Sequence, residues 1–137
     1  MAGTVEITDL AAEGNLGGLF DANGALYFVA NHTTLFKSDG TEPGTVEVDP
    51  GEVSLGPGLE MTAIGSTLYF TGTANDSGNC LEGDKDLWRS DGTPAGTFEV
   101  SPAPGTCLFR SLTPVDGTLF FVADDDVYGI ELWRYVP

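Results

Sequence analysis

The sequence predicts an all-β fold, a β-propeller built from three four-stranded blades per chain. Three observations carry that reading. One phrase recurs, as Thr34-Leu35-Phe36-Lys37-Ser38-Asp39-Gly40-Thr41, as Asp86-Leu87-Trp88-Arg89-Ser90-Asp91-Gly92-Thr93, and as Ile130-Glu131-Leu132-Trp133-Arg134. Turn formers are dense throughout, with 19 glycines and 8 prolines in 137 residues. No window keeps helical periodicity for more than a turn or two. A chain of this length is one domain, residues 1–137, and is long enough to bury a core.

The elements follow in order, each repeat reading as strands A to D. Residues 3–9 match 44–49 and 95–101, so the chain opens on the outermost strand of a unit. Unit one spans 16–49. It has a strand at Leu19-Phe20, an Asn23-Gly24 turn, the strand Ala25 to Val29, the loop Asn31-His32-Thr33, and strands around Leu35-Phe36 and Val46-Glu47-Val48. Unit two, 59–101, has Met61 to Ile64, a Gly65-Ser66 turn, Thr67 to Thr71, an enlarged loop from Ala74 to Lys85, then Leu87-Trp88 and Phe98-Glu99-Val100. Unit three, 108–136, has Leu108 to Val115, the Asp116-Gly117 turn, Leu119 to Val122, a loop from Asp124 to Gly129, and Leu132-Trp133. Its fourth strand is the one that residues 3–9 repeat.

The B strands, such as Leu26-Tyr27-Phe28-Val29, are apolar at consecutive positions and therefore on both faces. A strand of that kind belongs to a sheet packed between two others. The D strands alternate apolar and charged residues, as outer strands do. Four-stranded sheets stacked around an axis make a propeller. The alternative is a β-trefoil, which also has three units of four strands but buries mainly one strand face. Three blades do not close a ring, so the sequence predicts a homodimer that closes six.

The phrase Asp86 to Thr97, with Thr67-Leu68-Tyr69-Phe70 before it, resembles the ELWxxDGT repeat of large secreted bacterial proteins. The resemblance runs through all three units. Unit one departs from it with Thr34-Leu35-Phe36, and unit three has Tyr135-Val136-Pro137 where Ser-Asp-Gly-Thr would stand. It implies extracellular or cell-surface, propeller-like repeats and no particular reaction. Met1 to Thr4 show neither the basic start nor the apolar run of a signal peptide.

Function is less legible. The net charge of −16, from 21 acidic and 5 basic residues, leaves no Lys/Arg cluster for nucleic acid or an anionic membrane surface. No stretch is long enough to span a membrane. His32 is the only histidine, and no nucleophile or catalytic phrase accompanies it, so the expectation is a non-enzyme that requires no cofactor. Phe36, Trp88 and Trp133 read as packing anchors, and Asp39 and Asp91 as holders of their own turns. Asn31-His32-Thr33 and Asn75-Asp76-Ser77 fit the N-glycosylation pattern, which has meaning only in a glycosylating host.

In a propeller the B–C and D–A connections share one end, and the long loops here fall at that end. It is the expected ligand-binding face for a glycan, peptide or protein, with His32, Asp76, Glu82, Asp84, Asp86, Asp124, Asp125, Asp126 and Tyr128 on it. Asp124-Asp125-Asp126 is the candidate metal site, for calcium, which takes six to eight oxygen ligands. Cys80 and Cys107 fall on loops of the same end and are expected to form a disulfide, which points to an oxidising compartment.

Overall fold

A computed structural model describes residues 3–7, 14–48, 53–55, 59–74, 86–100, 107–124 and 127–137. The described residues form three antiparallel sheets and no helix. The first sheet sets β1 (Leu16–Ala22), β2 (Ala25–Ala30), β3 (Thr34–Ser38) and β4 (Val46–Glu47) side by side in chain order. The second opens with the short β5 (Val53–Ser54), then orders β6 (Met61–Ile64), β7 (Thr67–Ala74), β8 (Asp86–Ser90) and β9 (Thr97–Glu99). Both β5 and β6 pair with β7, at its two ends, so together they form one interrupted edge strand. The third sheet contains β10 (Cys107–Val115), β11 (Thr118–Asp124) and β12 (Ile130–Tyr135).

Local chemistry explains the hairpins. Asn23 and Gly24 both take positive φ, 58° and 92°, and Asp116 and Gly117 take 48° and 78°. That is the primed-turn geometry whose twist matches paired strands, and Asn, Asp and Gly reach it at least cost. The Asp-Gly of the repeated phrase behaves differently. It does not form a two-residue hairpin turn; it opens a longer loop from β3 to β4 and from β8 to β9.

Across each B–C hairpin one aromatic pair recurs: Phe28 opposite Phe36, Phe70 opposite Trp88, Phe121 opposite Trp133. The first two pairs stack, with centroids 5.4 and 6.3 Å apart. Phe70 and Trp88 pack against Tyr27, Val29 and Leu35 of the first sheet. On the other face of the second sheet, Tyr69 and Leu87 pack with Phe109, Leu119 and Phe121 of the third. Leu68, Tyr69, Phe70 and Thr71, four consecutive residues of β7, are all 0% exposed, because this sheet is covered on both faces. Each such apolar side chain contributes about 1.5–3 kcal/mol. In β11 only alternate residues are buried, since one face alone has a neighbour. The indole nitrogens of Trp88 and Trp133 are buried with no hydrogen-bond partner among the described residues, so these rings serve packing.

Three details are added at this level. Residues 3–7 lie outside any strand and are exposed, while Thr8 and Asp9 fall outside the described residues. The second sheet begins before Leu59, at β5. The first strands of the first and third sheets are broken by register shifts, between Gly17 and Phe20 in β1 and at two places in β10.

Candidate functional site

The two ends of the stacked sheets differ chemically. At one end the repeated loops are closed on themselves. Asp39 Oδ1 accepts the Thr41 N–H at 2.9 Å and the Thr41 hydroxyl at 2.6 Å. The Gly44 N–H donates to Thr41 Oγ1 at 3.0 Å, and Thr45 Oγ1 donates to the Thr41 carbonyl at 2.7 Å. The loop after β8 repeats every distance, with Asp91, Thr93, Gly96 and Thr97 in the same roles. Bonds from Thr41 and Thr93 hold the Asp39 and Asp91 carboxyls below the usual aspartate range. These polar groups are already committed to one another.

The opposite end carries the B–C and D–A connections. Here Asn31 and His32 both take positive φ, 53° and 60°, an uncommon conformation for side-chain-bearing residues. The loop is tied at both sides: the Asn31 N–H donates to the Asn15 carbonyl at 2.7 Å, and the His32 carbonyl accepts the Leu55 N–H at 2.7 Å. His32 lines a cavity of about 480 Å³ between β1 and the β5/β6 edge of the second sheet. Asn15 and His32 supply its polar groups, while Leu16, Leu19, Phe20, Val29, Leu55, Leu59 and Met61 form an apolar wall.

Two glycines of β1, Gly17 and Gly18, line the cavity. Gly18, at φ 63°, sits in the β1 irregularity with Leu59 and Met61 against it. Register places Gly18, Glu60 and Ser111 at one repeat position, each two residues before the partner of Tyr27, Tyr69 and Phe120 respectively. At the second junction Glu60 reaches across to the Ser111 N–H. At the first, Gly18 has no side chain to reach with, and Gly17 beside it adds none. Paired glycines inside a strand were the available signal, since such a strand marks a bulge or a close approach.

Comparison with family models, curated proteins and solved structures finds no match. Function therefore rests on the site itself.

The sequence-predicted residues scatter. His32 is exposed and lines the cavity. Tyr128 is 79% exposed at its loop. Asp86 departs from the expected surface position: it opens β8 opposite Gly72 and is 1% exposed. Asp124 is the last residue of β11, half-buried, opposite Cys107 and Ile130. Asp76, Glu82, Asp84, Asp125 and Asp126 lie outside the described residues, as does Cys80; of Cys107 only the backbone is described. Among the described residues no three metal-ligating side chains converge. None of the described segments is a helix long and apolar enough to cross a membrane.

Proposed function

We propose that this chain is a non-enzymatic, propeller-type binding module that works at its long-loop end. The observation that carries the reading is the cavity beside His32: a largely apolar recess with a few polar groups in its lining is how selective sites are built. Sheets stacked face to face, one covered on both sides, support the propeller over the trefoil. Of the three ligand classes, a wall that is aliphatic apart from Phe20 favours an apolar side chain from a peptide or protein over a glycan. Extracellular or cell-surface placement rests on the likeness of the Asp86 to Thr97 phrase to the ELWxxDGT repeat. Calcium at Asp124-Asp125-Asp126 belongs to the same proposal. Calorimetry with calcium tests it, and heat that vanishes when all three become Asn is the expected result.

Peptide and glycan arrays followed by calorimetry test the binding itself. Leu19→Asp and His32→Ala, both at exposed positions, should each weaken binding by about tenfold or more, ~1.4 kcal/mol. Binding untouched by both would move the working surface to the loops, and no binding at all would favour a purely structural repeat. One observation supports that second reading. The outward face of the third sheet is bare, with Leu132 74% exposed, as in a segment that assembles, and a homodimer closing six blades is the assembly proposed.

A further inference from the structure

The third sheet leaves open what the other two close. β3 is bordered by β4 and β8 by β9, whereas β12 has only β11 beside it among the described residues. Leu35, Leu87 and Leu132 hold one repeat position, opposite Val29, Thr71 and Val122. The first two are 0% exposed, each buried against the following sheet, while Leu132 is 74% exposed. A fourth-strand segment is meanwhile unused. Gly3-Thr4-Val5-Glu6-Ile7 repeats Gly44-Thr45-Val46-Glu47-Val48 and Gly96-Thr97-Phe98-Glu99-Val100, which supply β4 and β9, yet it forms no strand.

An independent sign lies two residues further along the strands. Lys37 of β3 extends over the next sheet's repeated loop, so that a Cβ at Gly92 would stand 2.5 Å from its Nζ. Arg134 of β12 is the counterpart of Lys37, opposite Phe120 as Lys37 is opposite Tyr27, and it is exposed. Gly40 of the first sheet is the counterpart of Gly92, and nothing lies within 4 Å of where its Cβ would be. Among the described residues, then, Arg134 has no such loop beneath it and the Asp39 loop has no cation above Gly40, at opposite ends of the stack.

We propose that a second copy of this chain docks its first sheet against the third sheet of the first copy. Its residues 3–7 add beside β12 as the fourth strand, and its Asp39-Gly40-Thr41 loop comes to rest under Arg134. Both contacts bring the same sheet to the same place, because residues 3–7 precede the first unit in the chain. The first sheet's outward pair, Phe28–Phe36, although mostly shielded within one copy, is the counterpart of the pairs that cover Leu35 and Leu87. Strand addition supplies a backbone ladder, and Arg134 over Asp39 adds matched charge. Two such junctions about a two-fold axis close six sheets into a ring. The inference rests on the propeller reading of the stacked sheets.

Light scattering on the intact chain at micromolar concentration should give twice 14.3 kDa. Val5→Pro blocks a ladder position in a segment that one copy leaves exposed, and Leu132→Asp charges the open face. Each should return the mass to 14.3 kDa with an unchanged circular dichroism spectrum. Mixing the two variants should restore some dimer, since one intact junction remains. A monomeric wild type, a mass that climbs past two copies, or a dimer that survives both variants would overturn the proposal. Leu87→Asp separates this from the reading beneath it: tolerance of that change would remove the stacking itself, whereas unfolding together with an unaltered mass in Leu132→Asp would remove only the junction.

Discussion

Both carboxylate oxygens of Glu60 accept the backbone N–H of Ser111, at 3.0 and 2.8 Å, across the junction between the second and third sheets. Ser111 takes φ 58° in the β10 irregularity, so the bond holds a strained residue in place. Glu60→Ala should lower stability by about 1 kcal/mol, a charged hydrogen bond discounted for its exposed setting. Glu60→Gln, which keeps one acceptor oxygen, should cost less. Ser111→Gly should cost nothing or stabilise, since Gly18 already meets the same demand at the equivalent position. Urea unfolding of the three variants checks the order.

The repeated loop needs glycine at its second Gly for space and not for φ. A Cβ at Gly44 or Gly96 would overlap the carboxylate of Asp39 or Asp91. Gly96→Ala should therefore push Asp91 off Thr93 and cost about 1–3 kcal/mol, as overpacking does. Gly92→Ala tests a different contact. It should displace Lys37 and, at φ 92°, add backbone strain. Thermal unfolding should show both losses, with Gly96→Ala alone altering the acid behaviour described next.

Asp39 and Asp91 have folded-state pKa values below the ordinary aspartate value, chiefly through the Thr41 and Thr93 hydroxyls. Between the lowered value and about 3.9 the unfolded chain binds more protons than the folded one. Their contribution is thus complete above about pH 4 and is lost as pH falls through the folded value. Asp91→Asn should flatten that acid limb and leave the neutral-pH fold intact. A limb unchanged in the Asp39, Asp91 double variant would remove the assignment.

Much of the architecture is legible from residue pattern because the same physics is stated three times. The aromatic pairs Phe28–Phe36, Phe70–Trp88 and Phe121–Trp133 advertise their register in the repeat phrase, and Asn23-Gly24 and Asp116-Gly117 name their turns. What the pattern could not give is which repeat positions differ in context. Leu132 looks like Leu35 and Leu87, and only the sheet stack shows that nothing covers it. Asp86 looks like a loop acid beside Asp84, yet its strand pairing with Gly72 draws it inward. The cavity lies beside Gly17 and Gly18, and its other wall, Leu55, Leu59 and Met61, belongs to the neighbouring sheet, beyond the reach of local pattern.

A disulfide between Cys80 and Cys107 remains a proposal from sequence. Cys107 opens β10 at the long-loop end, as the topology requires, and Cys80 lies outside the described residues. Closing the intervening loop would stabilise the fold by roughly 3 kcal/mol in the chain-entropy treatment. Thiol titration of the denatured, unreduced protein should find no free cysteine. Two free thiols would remove the bond, and with it the argument from cysteine for an oxidising compartment.

Tyr27 and Tyr69 occupy one repeat position, 1% and 0% exposed, in the two junctions between sheets. Burial is the main cause that pushes both hydroxyls above the ordinary tyrosine value, opposed by Ser90 beside Tyr27 and by the positive charge of Arg89 near Tyr69. The folded chain consequently holds these protons where the unfolded chain releases them. Stability is complete below about pH 10 and falls as pH rises from there toward the folded-state values. Tyr27→Phe separates charge from packing. The Tyr27 hydroxyl is buried with Ser90 beside it but makes no well-formed hydrogen bond among the described residues, so its removal should leave neutral-pH stability about equal. The same change should also shift the alkaline unfolding midpoint upward, because one buried phenolate no longer drives opening of the first junction. Phenolate absorbance and near-ultraviolet circular dichroism, followed together through the titration, check both halves. If Tyr27 ionised before the tertiary signal changed, the first junction would be open to solvent and the packing of Tyr27 against the second sheet would be wrong.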